Sequence, residues 1–257
     1  MKETTIGFVG GGRVTRIMLC GWKRAGRSLA NVVVSDANTG TLTALKSLHP
    51  EIATGDNRKA AAQSVVFLAV HPPAMAAVLA ELRGAMQPDA LVVSLAPKIT
   101  MAKIAEGLGG HRLLARMIPN APSIIGAGYN PMAFMPDMND SIKLSLVALL
   151  APLGESPEVI ESKLEAFALI TGMGPTYLWF QLQTLRELAM NFGLSEADVA
   201  SGLKRMVCGA TRTLLESGLS PAEVMDLIPV RPMAEDEPAI KAAYQHRLPM
   251  LFAKIKP

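Results

Sequence analysis

Gly10, Gly11 and Gly12 follow the apolar run Ile6-Gly7-Phe8-Val9 and precede a helical stretch near residues 13–25. A strand that turns through glycines into a helix can take up a phosphate anion. Gly10 lets the chain leave the strand tightly, and Gly12 has no side chain to hold the backbone away from a pyrophosphate. Thr15 is a small residue at the point where the helix must pack close to the strand. The N–H groups of the first helical turn, at Arg13 and Val14, then meet the phosphates with the positive end of the helix dipole. Asn31-Val32-Val33-Val34-Ser35 reads as a second strand ending in Asp36. An acidic residue about twenty positions beyond the glycines suits a ribose hydroxyl. The context favours a dinucleotide site over the competing reading, a plain strand-to-helix connection.

Positioning such a site requires a parallel sheet, and the next segments supply its strands. Residues 64–70, 90–95 and 112–117 are short apolar runs closed by His71-Pro72-Pro73, Ala96-Pro97 and Ile118-Pro119-Asn120-Ala121-Pro122. Helical stretches, Pro73 to Met86 and Thr100 to Leu108, lie between them. Alternating units of this kind predict an α/β class with helices on both faces of the sheet. Ligands then bind beyond the carboxyl ends of the strands, so Gly10–Gly12, Asp36, His71-Pro72, Ala96-Pro97 and Pro119–Pro122 are candidate parts of one cleft. His71 has two readings there, contact with the cofactor or proton transfer against service as a turn residue.

Past about residue 163 the strand signals stop. A Rossmann-type domain is expected over residues 1–162 and an all-helical domain over residues 163–257. Helices are predicted from near Gly174 to Asn191, from an N-cap at Ser195 to Gly218, and from the capping box Ser220-Pro221-Ala222-Glu223 onward. Trp179, Phe180, Leu182, Leu185 and Leu188 make the first of these apolar around much of its circumference. So few helices bury such a surface poorly, and a homodimer through them is expected.

The chain has 257 residues, of which 50% are hydrophobic, and a net charge of +3 with no long basic run. Nucleic acid and membrane surfaces are therefore not expected partners. Leu144 to Leu153 is the most apolar stretch, and Pro152 breaks it. With the first strand so near the start, a cytoplasmic protein without a signal peptide is expected. Cys20 and Cys208 are read as buried packing residues and give no disulfide framework. His49, His71, His111 and His246 have no metal-ligand spacing, so no metal is expected.

With these pieces placed, the chain resembles the pyrroline-5-carboxylate reductase family over nearly its whole length. The likeness is carried by Ile6 to Gly12, by Phe67-Leu68-Ala69-Val70-His71-Pro72, and by Arg116-Met117-Ile118-Pro119-Asn120-Ala121-Pro122. It continues through Gly172-Met173-Gly174-Pro175-Thr176-Tyr177 and through Gly209, Leu214-Leu215-Glu216-Ser217-Gly218 and Pro221-Ala222-Glu223. The resemblance implies a Rossmann domain, a helical domain through which subunits dimerise or form larger assemblies, and hydride transfer to a cyclic imine. It implies cofactor contacts at Ala69, Val70, His71 and Pro72, with Asn57 near the adenosine ribose, while Ala96 and Asn120 are candidate cofactor contacts from their places beyond the strand ends. It also implies substrate contacts at Gly174, Pro175 and Thr176.

The chain departs from this pattern where the family binds a substrate carboxylate. After Asp226 the family has a serine–proline–glycine–glycine–threonine–threonine loop, but here Leu227-Ile228-Pro229-Val230-Arg231-Pro232-Met233 follows. The backbone nest of that loop is lost. Arg231 offers a bidentate replacement, against the plainer reading of an exposed arginine in a proline-rich turn. The family usually prefers NADPH, whereas Asp36 followed by Ala37 favours the free diol of NADH; Arg13, Asn38, Asn57 and Arg58 are candidates for a phosphate pocket. The cofactor is expected to be NADPH or NADH. The leading expectation is reduction of 1-pyrroline-5-carboxylate to proline with no assigned acid or base. A reductase of a different cyclic imine or imino acid, or a non-catalytic NAD(P)-binding relative, are the alternatives.

Overall fold

The computed structural model describes residues 4–257. In chain order the first unit holds β1 (Ile6–Val9), α1 (Arg13–Arg24), β2 (Val32–Ser35), α2 (Thr39–Leu48), β3 (Ala53–Gly55) and α3 (Asn57–Ala61). These are followed by β4 (Val65–Leu68), α4 (Pro72–Leu82), β5 (Leu91–Ser94), α5 (Met101–Gly107) and β6 (Leu114–Met117). Then come β7 (Gly128–Tyr129), β8 (Met132–Phe134), α6 (Asp140–Leu150), β9 (Gly154–Glu155) and α7 (Leu164–Phe167).

Seven strands form one sheet in the order β3-β2-β1-β4-β5-β6-β8, and only β8 runs antiparallel to its neighbour. The chain winds outward from β1 in one direction and from β4 in the other. The order is that of the doubly wound nucleotide-binding sheet, with its switch point between β1 and β4. Val9 pairs with Ser35 on one side and Leu68 on the other, so Gly10, Asp36 and Ala69 leave the sheet side by side.

The strands read as continuous apolar runs because both faces are covered. On one face Phe8 stacks on Phe67 with ring centroids 4.9 Å apart, beneath Met18, Leu19 and Trp22 of α1. Trp22 is fully buried and its Nε1–H donates to the Leu149 carbonyl at 3.0 Å. On the other face Val9, Val33, Val66, Leu68 and Val92 pack with Met75 and Leu79 of α4. Gly7 lets α3 lie directly on β1, since a Cβ there would stand 1.8 Å from the Ala60 carbonyl oxygen.

A buried ion-pair network is anchored on β6, the strand next to the far edge of the sheet. Arg116 on β6 is 1% exposed, and its guanidinium meets Glu165 at 2.5 Å and Glu161 at 3.0 Å. Glu165 also accepts from the Lys98 backbone N–H, and Glu161 from that of Met101, so the two carboxylates hold the loop after β5. Leu164 and Ala168 pack with Met101 and Ile118 in the same place. These contacts move the division of the chain away from the expected 162/163 boundary. The first unit runs to Met173 and includes Phe252–Pro257, and the second comprises Gly174–Leu251.

The second unit contains α8 (Pro175–Asn191), α9 (Glu196–Glu216), α10 (Pro221–Asp226) and the greater part of α11 (Glu237–Ile255). Ser195 caps α9 by accepting from the Asp198 N–H, and the expected capping box at Ser220 and Glu223 is present. The third expected helix, however, stops at Asp226, and a fourth begins at Glu237. Pro229 and Pro232 remove two N–H donors and disfavour helical backbone at Ile228 and Arg231. The cysteine expectation also needs correction. Cys20 is only half-buried, its sulfur 3.6 Å from His49 Nε2, and Cys208 is exposed on α9.

Candidate functional site

The glycines divide their work. Gly10 has φ 106°, and a Cβ there would lie 2.6 Å from the Ala69 carbonyl oxygen, so it serves the close passage between β1 and the segment after β4. Gly12 has an ordinary extended φ of −69°, is exposed, and a Cβ built on it meets nothing within 4 Å. Local packing gives no reason for glycine at position 12; access to the backbone in front of it does.

Behind Gly12, α1 begins without a side-chain cap and without an acidic residue in its first turn. Its first N–H groups, those of Arg13 and Val14 among them, are left for an external anion. Val14 keeps its side chain against the core, so it can contribute only its backbone. Thr15 is fully buried and its hydroxyl donates to the Gly10 carbonyl at 2.6 Å, which ties the helix to the turn. A groove of about 600 Å³ runs from Gly11 and Gly12 past Arg13 and Arg16 toward Thr41. The open helix end, the Cβ-free approach and the switch point together fit a dinucleotide pyrophosphate.

Asp36 belongs to this turn. Its Oδ2 accepts from the Gly11 N–H at 2.8 Å and its Oδ1 from the Asn38 N–H at 2.8 Å. Asn57 opens α3; it accepts from the Ser35 hydroxyl at 2.9 Å and donates to Glu81 at 2.7 Å. Ala69 and Val70 are half-buried beside Gly10, and His71 is exposed at the N-cap of α4, where its side chain caps nothing. Pro72 opens that helix. Ala96 is buried after β5 and its carbonyl accepts from Arg116 at 3.4 Å.

Asn120 lies deeper than the sequence suggests, and its side chain is committed to the protein. Its Oδ1 accepts from the Tyr129 N–H at 3.2 Å and its Nδ2 donates to the Thr171 carbonyl at 3.3 Å. Asn130 and Ser123 complete this buried network, with Ser123 Oγ donating to Asn130 Oδ1 at 2.9 Å. Nothing in the sequence singles out Asn130 or Ser123, and Arg116 stands there as one residue of the strand run 112–117 and of the Arg116–Pro122 motif. An arginine inside an apolar strand was the available signal, because an arginine is rarely fully buried without a carboxylate partner.

In the helical unit, Gly174 is already helical and Pro175 takes the first helical position of α8, with Thr176 exposed beside it. Arg231 is half-exposed and pairs with Glu237, which also pairs with Lys241. Lys241 chiefly, with Arg231 behind it, holds the Glu237 carboxyl below the usual carboxylate range. α8 has no buried residue: Trp179 is 52% exposed and Phe180 66%, and Phe192, just past its end, is 79% exposed. An apolar cavity of about 690 Å³ opens along α8 and α11 between Phe180, Leu185, Ile240 and Tyr244. Among the described residues no cluster of histidine, cysteine, aspartate or glutamate is arranged to hold a metal, and no helix is long and apolar enough to cross a membrane.

Comparisons with known proteins bear on both units. Residues 5–98 match the family described as NADP oxidoreductase, coenzyme F420-dependent. The chain is 25% identical over 232 residues to pyrroline-5-carboxylate reductase of Escherichia coli K12, covering 88% of this chain and 85% of that one. It is 28% identical over 225 residues to the same enzyme of Corynebacterium melassecola, covering 86% and 83%. Among solved structures, a pyrroline-5-carboxylate reductase from Coxiella burnetii superposes with TM-score 0.68 at 28% identity, covering 98% of this chain and 94% of that one. The NADP-bound pyrroline carboxylate reductase of Plasmodium falciparum has the same fold, with TM-score 0.74 at 18% identity, covering 99% and 95%.

Proposed function

We propose that this chain, which is similar to pyrroline-5-carboxylate reductases over most of its length, is a divergent relative of theirs and an NAD(P)H-dependent reductase of a cyclic imine, foremost 1-pyrroline-5-carboxylate, which it converts to proline. The observation that carries this reading is the uncapped N-terminus of α1 behind Gly12, at the switch point of the sheet. A dinucleotide held there by its pyrophosphate would supply, from its dihydronicotinamide, the hydride that turns a protonated C=N bond into an amine. Gly12 and the α1 N–H groups hold the pyrophosphate, Asp36 the adenosine ribose, and Ala69 to Pro72 the approach toward the nicotinamide half. Orientation and water exclusion supply most of the catalysis, because a protonated imine is already an electrophile. No proton donor is assigned, and His71 is exposed at its helix cap. A cytoplasmic location belongs to the same reading. The test is dihydronicotinamide oxidation with 1-pyrroline-5-carboxylate beside a panel of other cyclic imines. Turnover of none of them would reduce the chain to a nucleotide-binding protein.

One feature supports a shifted substrate. The segment from Leu227 to Asp236 lacks the family's glycines, and its single cation is engaged with Glu237. If Arg231 holds the substrate carboxylate, it must exchange one carboxylate for another, so the net gain is modest. Arg231→Ala is then expected to raise KM for a carboxylated imine about tenfold, with nucleotide affinity unchanged. Wild-type KM in that variant would move the carboxylate to the N-terminus of α8, at Gly174, Pro175 and Thr176.

The exposed apolar residues of α8 support a homodimer or larger homo-oligomer built through the helical unit. Trp179→Glu is expected to lower the particle mass measured by light scattering, since an unpaired charge at a buried contact is costly. A wild-type monomer at micromolar concentration would end the oligomer reading.

A further inference from the structure

The strand-end carboxylate narrows the choice of cofactor. Resting on the nucleotide site proposed above, we infer that Asp36 makes this chain selective for NADH and turns away the 2′-phosphate of NADPH.

Asp36 is fixed rather than free to swing aside. Its two oxygens accept from the backbone N–H groups of Gly11 and Asn38, each at 2.8 Å. Moving it to admit a phosphate breaks both bonds and strands the Gly11 N–H, and Gly11 is buried. A carboxylate has about four lone-pair sites, so two remain on this half-exposed group. They suit the O–H donors of a ribose diol. A 2′-phosphate removes one of those donors and brings a dianion against the fixed charge.

The surroundings offer little to offset that repulsion. Ala37, Asn38, Thr39 and Gly40 follow Asp36 without a cation. Asn57 is tethered between Ser35 and Glu81, and Glu81 adds a further carboxylate to this edge. Of the nearby cations, Arg58 is exposed on α3 beside Asp56, and Arg13 and Arg16 belong to α1, along the groove that starts at the glycine turn. Arg13 takes the first position of α1, next to Gly12, where a pyrophosphate common to both cofactors would lie.

The experiment titrates the full chain with NADH and with NADPH, following dihydronicotinamide fluorescence and, independently, heat of binding. The wild type is expected to bind NADH more tightly by about tenfold or more. Asp36→Asn keeps one of the two backbone acceptors while losing the charge, and should move the ratio toward NADPH by about tenfold. Ala37→Arg, at an exposed position, should move it the same way even if the first variant folds poorly. Arg13→Ala should weaken both cofactors alike. A wild type that prefers NADPH, or an Arg13→Ala variant that loses NADPH alone, overturns the inference and leaves the nucleotide site standing. Binding of neither dinucleotide removes the site and the inference together.

Discussion

Gly12→Val is expected to weaken binding of both NADH and NADPH by more than about 100-fold while the chain still folds. The branched side chain enters the space in front of the α1 N-terminus, where the pyrophosphate has to approach the backbone. The protein itself has room for it, because a Cβ at Gly12 meets nothing within 4 Å and φ is −69°. Valine is a poor N-cap, so a stability loss of about 1 kcal/mol accompanies the binding loss. Gly10→Val is the informative contrast. There the backbone has φ 106° and the added Cβ strikes the Ala69 carbonyl, so folding should fail before binding can be measured. Nucleotide titration beside a thermal melt separates the two positions. Unchanged affinity in a folded Gly12→Val protein would place the pyrophosphate elsewhere.

The second large effect concerns stability. Arg116→Ala should cost about 3–5 kcal/mol, since it leaves Glu165 buried without its cation and Glu161 close by. A loss of that size is a large share of the total stability of an ordinary domain, about 5–15 kcal/mol. The damage should be local to the loop after β5 and to the segment carrying Glu161 and Glu165, which the guanidinium joins. Adding Glu165→Gln to Arg116→Ala should restore part of the loss by removing the stranded charge, an interaction that a double-mutant cycle reads directly. A loss below about 1 kcal/mol for Arg116→Ala would mean that the pair is solvated in the native protein.

The sheet was readable in the sequence because each inner strand is covered on both faces, which leaves an unbroken apolar run between turn residues. The glycine turn and Asp36 were readable for the same reason, since strand ends locate whatever follows them. Arg116 was not, because its partners lie 45 and 49 residues further on and nothing local marks the pairing. That network also explains why the first unit extends past residue 162. The helical unit was legible through its caps, at Ser195 and Ser220, but its apolar faces carry no period that separates core from subunit contact. The break between α10 and α11 was written in Pro229 and Pro232, yet a capping box announces only where a helix starts. Asn120 shows a further limit: a residue beyond a strand end can turn inward and spend its side chain on the loop beneath it.

The central claim, that this chain passes hydride from a dihydronicotinamide to the carbon of a cyclic imine, is tested most directly by following the hydride. NADH and NADPH carrying deuterium at the hydride-bearing carbon are supplied in turn with 1-pyrroline-5-carboxylate. The expected product is proline with deuterium at the former imine carbon, formed in step with loss of dihydronicotinamide absorbance. If neither cofactor is oxidised, or if the proline formed carries no label, the chain is not the reductase proposed here.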